Sequence, residues 1–156
     1  MPELPDVEVA RDPGGRAVKQ FSIYADNKVG RLNEIIGILA DRDIHVLAMT
    51  TLDTTDSTIV RLIVDYPEEA RELLIRNGYS FSLVEIVAVE IPRVDYLHEV
   101  TCALVEAEIN IHYIYPFIAR PRGQSALALR LEDNEIARDV LTRHQIKILS
   151  QSDIAR

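Results

Sequence analysis

Leu32-Asn33-Glu34-Ile35-Ile36-Gly37-Ile38-Leu39, followed by Asp43-Ile44-His45-Val46, decides the fold because the chain writes it twice. The echo is Leu97-His98-Glu99-Val100-Thr101-Cys102-Ala103-Leu104, followed by Glu108-Ile109-Asn110-Ile111, at a constant offset of 65. Further on the offset is 67. Thr58-Ile59-Val60 matches Ser125-Ala126-Leu127, and Ala70, Leu73 and Leu74 match Ala137, Val140 and Leu141. This period exceeds that of ordinary solenoid repeats, so the chain reads as a small domain duplicated in tandem. Two like domains side by side can build a ligand site at their junction.

Each copy spells the same order of elements. In the first, Gln20–Ala25 reads as a strand and Asp26-Asn27-Lys28-Val29-Gly30 as a turn. Arg31–Asp41 is an amphipathic helix, apolar at i, i+3, i+4 and i+7. Ile44–Leu52 and the β-branched Thr58–Val64 are strands joined by a polar loop. Asp65-Tyr66-Pro67-Glu68-Glu69 starts a second helix, with a capping Asp and Pro in the first turn. Asn77-Gly78 stops it, and Tyr79–Glu85 is the fourth strand. The second copy reads as strand Ile86–Ile91, turn Pro92–Tyr96, helix Leu97–Glu106, strand Ile109–Ala119 and loop Arg120–Gln124. Strand Ser125–Leu131, helix Asn134–Arg143 and strand Ile146–Gln151 complete it.

The order βαββαβ predicts an α+β fold, two ferredoxin-like units in tandem, with antiparallel sheets and helices on one face. Unit one is expected over 19–85 and unit two over 86–153, after a loose Pro- and Gly-broken leader over 1–18. Strands Ile44–Leu52 and Thr58–Val64 are apolar at both parities. A solvated face would alternate more cleanly, so the helix-free faces are expected to be buried against another chain or the sister unit. A homodimer follows as an expectation.

Composition narrows the function. The chain has 156 residues, 47% hydrophobic and 27% charged, with net charge −8. That charge repels phosphate backbones and argues against nucleic acid. Tyr113, Tyr115 and Phe117 offer stacking aromatics in one copy only. The single cysteine, Cys102, fits a reducing cytoplasm and excludes an internal disulfide; on its helix it reads as a buried, inert thiol. No apolar run approaches the roughly 20 residues that span a bilayer, and the N-terminus lacks a secretory h-region. His45, His98, His112 and His144 form no compact metal-ligand spacing. There is no nucleophile elbow or phosphate-binding glycine loop. No catalytic residue, metal or cofactor is expected.

The leader Met1-Pro2-Glu3-Leu4-Pro5-Asp6-Val7-Glu8 resembles the start of formamidopyrimidine-DNA glycosylases, which use the proline amine as a nucleophile. The match stops after eight residues, the chain is acidic and short for that enzyme, and four zinc-binding cysteines are lacking. The repeat occupies the rest.

The βαββαβ unit with Asp26-Asn27-Lys28-Val29-Gly30-Arg31-Leu32 between first strand and first helix resembles an ACT domain. Over about residues 19–153 the chain is similar to small double-ACT proteins. Val29 stands where the family often has Pro; Gly30 and Leu32 match. The resemblance implies a regulatory protein that binds an amino acid where one unit meets another. The helix N-terminus offers free N–H groups and partial positive charge to a carboxylate. Gly30 tolerates unusual dihedrals and close approach. Asp26 and Asn27 can receive an ammonium group. The family completes this loop with the start of a neighbour's second strand, where His45 stands in copy one and Asn110 in copy two.

The expected ligand-binding set is therefore Asp26, Asn27, Lys28, Val29, Gly30, Arg31 and Leu32, facing Asn110, Ile111 and His112. Copy two has Pro92 where Asn27 sits and Asp95 where Gly30 sits, so its turn is expected to bind poorly. The plainer reading is that Asn27 and Gly30 only shape a turn. The expected function is a cytoplasmic, non-enzymatic amino-acid sensor; with no catalytic domain in these residues, its output would pass through assembly state or another protein. The rival is an interaction module that grips a metabolic enzyme without binding ligand.

Overall fold

The computed structural model describes residues 16–155. The expected leader lies outside the described residues as far as position 15. The chain runs β1 (Val18–Asp26), α1 (Arg31–Ala40), β2 (Val46–Asp53), β3 (Ser57–Val64), α2 (Pro67–Arg76) and β4 (Ser80–Ile91). It continues with α3 (Tyr96–Glu106), β5 (Ile111–Pro116), a 3-10 turn (Pro121–Gly123), β6 (Ser125–Leu131), α4 (Asn134–Arg143), β7 (Ile148–Leu149) and α5 (Gln151–Ile154). All strand pairs among the described residues are antiparallel. The fold is the tandem ferredoxin-like α+β arrangement that the repeat predicts.

The two units share a strand. Tyr79–Glu85 and Ile86–Ile91, read from sequence as two strands, form the continuous 12-residue β4. Its first half pairs with β1 (Tyr24↔Ser80 to Val18↔Ile86), its second with β6 (Val87↔Leu129 to Ile91↔Ser125). The result is one seven-stranded sheet in the order β2-β3-β1-β4-β6-β5, with β7 beside β4.

Side-chain parity shows how this sheet is covered. Phe21, Ile23, Val60, Leu62, Phe81 and Leu83 pack under Ile35 and Leu39 of α1 and Ala70, Leu73 and Leu74 of α2. Val87, Val89, Ile91, Leu129 and Leu131 pack under Val100 and Leu104 of α3 and Val140 and Leu141 of α4. Residues 81, 83, 87, 89 and 91 share one parity of β4, so all four long helices lie on one surface of the sheet. The opposite parity (Val84, Ile86, Ala88) joins Val18, Ile63, Leu47, Tyr115, Ala126 and Ala128 in a separate core. The sheet has rolled its helix-free surface onto itself. Of the two covers the sequence allowed, the sister unit provides the one seen here.

The roll nearly closes. The end strands β2 and β5 meet at the bridge Ala48↔Phe117, and the Ile118 and Ala119 N–H groups both donate to the Leu47 carbonyl (2.7 and 3.1 Å). Away from the closure the rolled core becomes polar. Gln20, fully buried on β1, donates through Nε2 to Ser22 Oγ (3.1 Å) and Tyr113 Oη (2.7 Å), and accepts from Tyr115 Oη (2.6 Å). Arg61 of β3 lies 3.9 Å over the Tyr113 ring, a cation–π contact across the two halves. Burial pushes the Tyr115 hydroxyl far above its ordinary pKa. These tyrosines are spent inside and offer no stacking platform to a base.

Several expected boundaries shift, each for a local reason. The last strand, expected over Ile146–Gln151, shrinks to β7 because Ser150 opens a capping box: Asp153 Oδ2 accepts the Ser150 N–H (3.0 Å) while Ser150 Oγ accepts the Asp153 N–H (3.3 Å). Strand Ile109–Ala119 shortens at its start because Ile109 N–H is taken by Leu104 O (3.0 Å) at the end of α3. Asp65 is not the cap of α2; its buried carboxylate accepts the His45 N–H (2.9 Å) and faces His45 Nδ1 (3.0 Å). Cys102 is exposed, not buried, because α3 turns Val100, Ala103 and Leu104 inward.

All four long helices end alike. A residue at positive φ follows each: Asp43 (58°), Gly78 (79°), Glu108 (56°) and Gln145 (62°). The next N–H then returns to the helix, as from Ile44 to Leu39 O and from Tyr79 to Leu74 O, each at 3.0 Å. Only one copy of one helix uses glycine. Replacing Glu108 or Gln145 by Gly should therefore stabilise the fold by up to about 1 kcal/mol each, since a side chain in this region costs about 1–2 kcal/mol, partly offset by glycine's unfolded-state entropy. Thermal unfolding of the single and double variants checks it; a fall in midpoint would contradict it.

Candidate functional site

The Asp26–Leu32 turn is built by its glycine. Gly30 is the N-cap of α1 at φ 85°, and a Cβ there would meet nothing within 4 Å. The demand for glycine is thus conformational, and the space above it is open. No side chain caps α1. The Arg31 N–H goes back to Lys28 O (3.1 Å), and the first intrahelical bond runs from Glu34 N–H to Gly30 O (2.9 Å). The intervening N–H groups of Leu32 and Asn33 precede the helical ladder and point out of its positive end.

The turn borders a cavity of about 290 Å³, lined by Asp26, Asn27, Lys28, Arg31 and Leu32 with Thr51, Asp53 and Thr58. Its charges are already arranged. Arg31 donates to both oxygens of Asp26 (Nε to Oδ1 2.7 Å, Nη2 to Oδ2 3.0 Å) and to Glu34 Oε1 (2.6 Å). Lys28 Nζ stands 3.6 Å from Asp26. Asp26, read from sequence as a receiver of an ammonium group, is therefore neutralised within the turn. Asp53 is the carboxylate nearer the other polar groups: Thr58 Oγ1 donates to it, and Asn27 Nδ2 reaches it at 3.4 Å.

The Arg31 hydrogen bond holds the Asp26 carboxyl below its ordinary value of 3.8, and Asp26 in turn raises Arg31. A depressed carboxyl stabilises the folded state above the ordinary carboxylate range, and that contribution fades as pH falls through it. The NMR titration midpoint of Asp26 should lie below 3.8 and move up toward that value in Arg31→Ala. An unmoved midpoint would remove Arg31 as the cause.

Copy two builds a different turn. Its N-cap, Asp95, has ordinary helical geometry (φ −73°) and holds Arg93 Nε at 3.1 Å. Arg93 also lies 4.7 Å over the Tyr96 ring. The left-handed step that opens copy one is absent here.

Within one chain the expected set is only partly gathered. Val29 is fully exposed and, like Gly30, stands at the rim of the turn without lining the cavity. Asn110, Ile111 and His112 line no part of it. The Asn110 N–H donates to Glu132 Oε1 (3.1 Å), and Ile111 pairs with Leu131 on β6. His112 is exposed.

Sequence reasoning missed a second, larger cavity, about 470 Å³, at the seam where β2 approaches the β5–β6 loop. Its polar lining is His45, Arg120, Arg122 and Asp153. A signal was present: the offset between copies grows from 65 to 67 across the loop that carries both arginines. Among the described residues no group of three or more His, Cys, Asp or Glu could hold a metal ion. No described helix is long and apolar enough to cross a membrane.

Two βαββαβ passes on one sheet, with an open helix N-terminus after the first strand, define a tandem ferredoxin-like module of the ACT type. The profile of the ACT domain pair matches residues 16–156, and the chain belongs to that family. Protein BT0572 from Bacteroides thetaiotaomicron is 27% identical, covering 92% of this chain and 99% of that one, with a TM-score of 0.82. The ligand-free regulatory subunit of aspartate kinase from Thermus thermophilus is similar in fold at 16% identity, with 83% and 91% covered and a TM-score of 0.58. The corresponding subunit from Thermus flavus is 18% identical, with 83% and 92% covered and a TM-score of 0.57. A comparison with curated proteins found no match.

Proposed function

We propose that this protein is a cytoplasmic regulatory sensor, not a catalyst, that binds one amino acid per chain at the Asp26–Leu32 turn. The observation that carries this reading is the left-handed Gly30 at the N-terminus of α1, beside a cavity whose lining includes the Asp53 carboxylate. The ligand carboxylate takes the N–H groups of Leu32 and Asn33, with Lys28 alongside; the ammonium takes Asn27 and Asp53. Charge-assisted bonds of this kind are the strong ones. Membership of the ACT family and the fold shared with regulatory subunits of aspartate kinase support it.

Asn110, Ile111 and His112 enter this reading from a second copy. They do not line the turn's cavity within one chain, and they lie exposed or half-exposed at the start of β5. A homodimer that sets one copy's β5 start against the other's turn completes the site. The units are taken as 19–85 and 86–153, meeting within β4.

A screen of the twenty amino acids by thermal shift tests the reading. Saturating ligand at a hundredfold excess over Kd stabilises by about 2.7 kcal/mol, so one or a few related amino acids should raise the midpoint by several degrees. No response from any of them would favour a second reading, an interaction module for a metabolic enzyme. That reading draws on α3, whose outer face leaves Leu97 and Val105 exposed beside a groove lined by His98, Cys102 and Glu106.

A further inference from the structure

The seam cavity differs in kind from the turn. One wall is His45, Val46 and Leu47 at the start of β2; the other is the loop that follows β5; Asp153–Ala155 form the floor. It is thus built from both units, at the point where the rolled sheet closes. That closure rests on the bridge Ala48↔Phe117 and on two N–H groups sharing the Leu47 carbonyl.

The cavity sets two arginines and one histidine against a single carboxylate, Asp153, in a chain with 25 acidic and 17 basic side chains. The Arg120 carbonyl accepts the Gly123 N–H (2.9 Å), but its guanidinium has no hydrogen-bond or ion-pair partner among the described residues. Arg122 sits 3.6 Å from Asp153 and 3.8 Å from Glu90, close enough for attraction but without a hydrogen bond to either. Its backbone lies at φ 56° in a tight turn that the Gly123 N–H closes onto Arg120 O (2.9 Å). His45 is fixed from behind, both its N–H and its Nδ1 engaged by the buried Asp65 carboxylate. Val46, Ile118 and Ile154 supply an apolar wall.

We propose that this seam is a second ligand site, taking a small organic anion whose carboxylate or phosphate group lies between Arg120 and Arg122. The planar guanidinium fork suits either oxyanion, and the apolar body of the ligand rests on Val46 and Ile118. Binding there ties β2 to the β5–β6 loop and so holds the two units together. The proposal uses none of the residues of the Asp26–Leu32 turn and stands whether or not that turn binds an amino acid.

Calorimetry and NMR on the full chain, with succinate and inorganic phosphate as separate probes at matched ionic strength, test it. The expected result is saturable binding of at least one probe, with amide shifts at Val46–Leu47 and Ile118–Arg122. Succinate alone points to a carboxylate ligand, and phosphate alone to a phosphorylated one. Arg120→Glu, on an exposed side chain, should weaken binding by roughly tenfold or more, whereas Gly30→Asn should leave it unchanged. No saturable binding of either probe, shifts confined to other regions, or an unaltered affinity in Arg120→Glu would overturn the proposal. An affinity lost in Gly30→Asn but kept in Arg120→Glu would assign the anion to the turn and overturn it equally.

Discussion

Replacing Gln20 by alanine is expected to lower the unfolding free energy by about 3 kcal/mol. The side chain is fully buried and joins β1 to Tyr113 and Tyr115 of the other unit. Removing it loses the bonds and leaves three hydroxyls without that partner, the buried Ser22 and Tyr115 and the half-buried Tyr113; each buried group stranded without a partner costs about 1–3 kcal/mol. The Arg61–Tyr113 contact next to it is loosened as well. The asymmetry between losing one partner and losing both supplies the control. Tyr113→Phe and Tyr115→Phe introduced together with Gln20→Leu should recover a large part of the loss, because of the groups that Gln20 served only the Ser22 hydroxyl is then left without its partner. Urea unfolding of the single and triple variants measures it. A loss under about 1 kcal/mol for Gln20→Ala would mean that water replaces the side chain and that this layer does not hold the units in register.

That layer also shows where the sequence stopped being legible. Helix stripes such as Leu32, Ile35, Ile36 and Leu39 are local patterns with a period of 3.6, and their duplication at a fixed offset announced both units. The strand-like pattern of Ile146, Ile148 and Leu149 runs on past Ser150, where the capping box with Asp153 ends the strand. Gln20, between Val18 and Phe21, read as an ordinary position near a strand start. Its role depends on Tyr113 and Tyr115, 93 and 95 residues away. The seam cavity is the same case. His45 and Arg122 share it only because β4 carries the chain from one unit to the next without a break and the sheet then rolls closed. Apolar residues at both parities of β2 and β3 did say that a second face is buried, but could not say whether the cover was another chain or the sister unit. For the turn, Gly30 was legible because its sequence neighbours are also its spatial neighbours. Arg31 was read as part of the binding set, yet its bidentate hold on Asp26 depends on the left-handed step at Gly30 that swings α1 back over β1.

Gly30→Asp should reduce amino-acid affinity by about one to two powers of ten or more. Two effects act in the same direction. The carboxylate enters beside the helix N–H groups that the ligand carboxylate needs, and a charge-assisted bond is worth roughly 1.5–3 kcal/mol. The backbone at φ 85° also becomes strained with any Cβ, by about 1–2 kcal/mol. Gly30→Asn separates them, because asparagine meets the left-handed backbone much as aspartate does and carries no charge; affinity should fall less than in Gly30→Asp, while the thermal midpoint of the two free proteins stays close. Asn27→Ala should weaken binding by about one to two powers of ten through the ammonium end alone. Asp95→Ala, at a turn without the left-handed step, should matter little. Calorimetry with whichever amino acid shifts the melting curve decides among these. Binding that survives Gly30→Asp and fails in Asp95→Ala would move the site to the other turn, because only there would the helix N-terminus of copy two, with Arg93 beside it, be receiving the carboxylate.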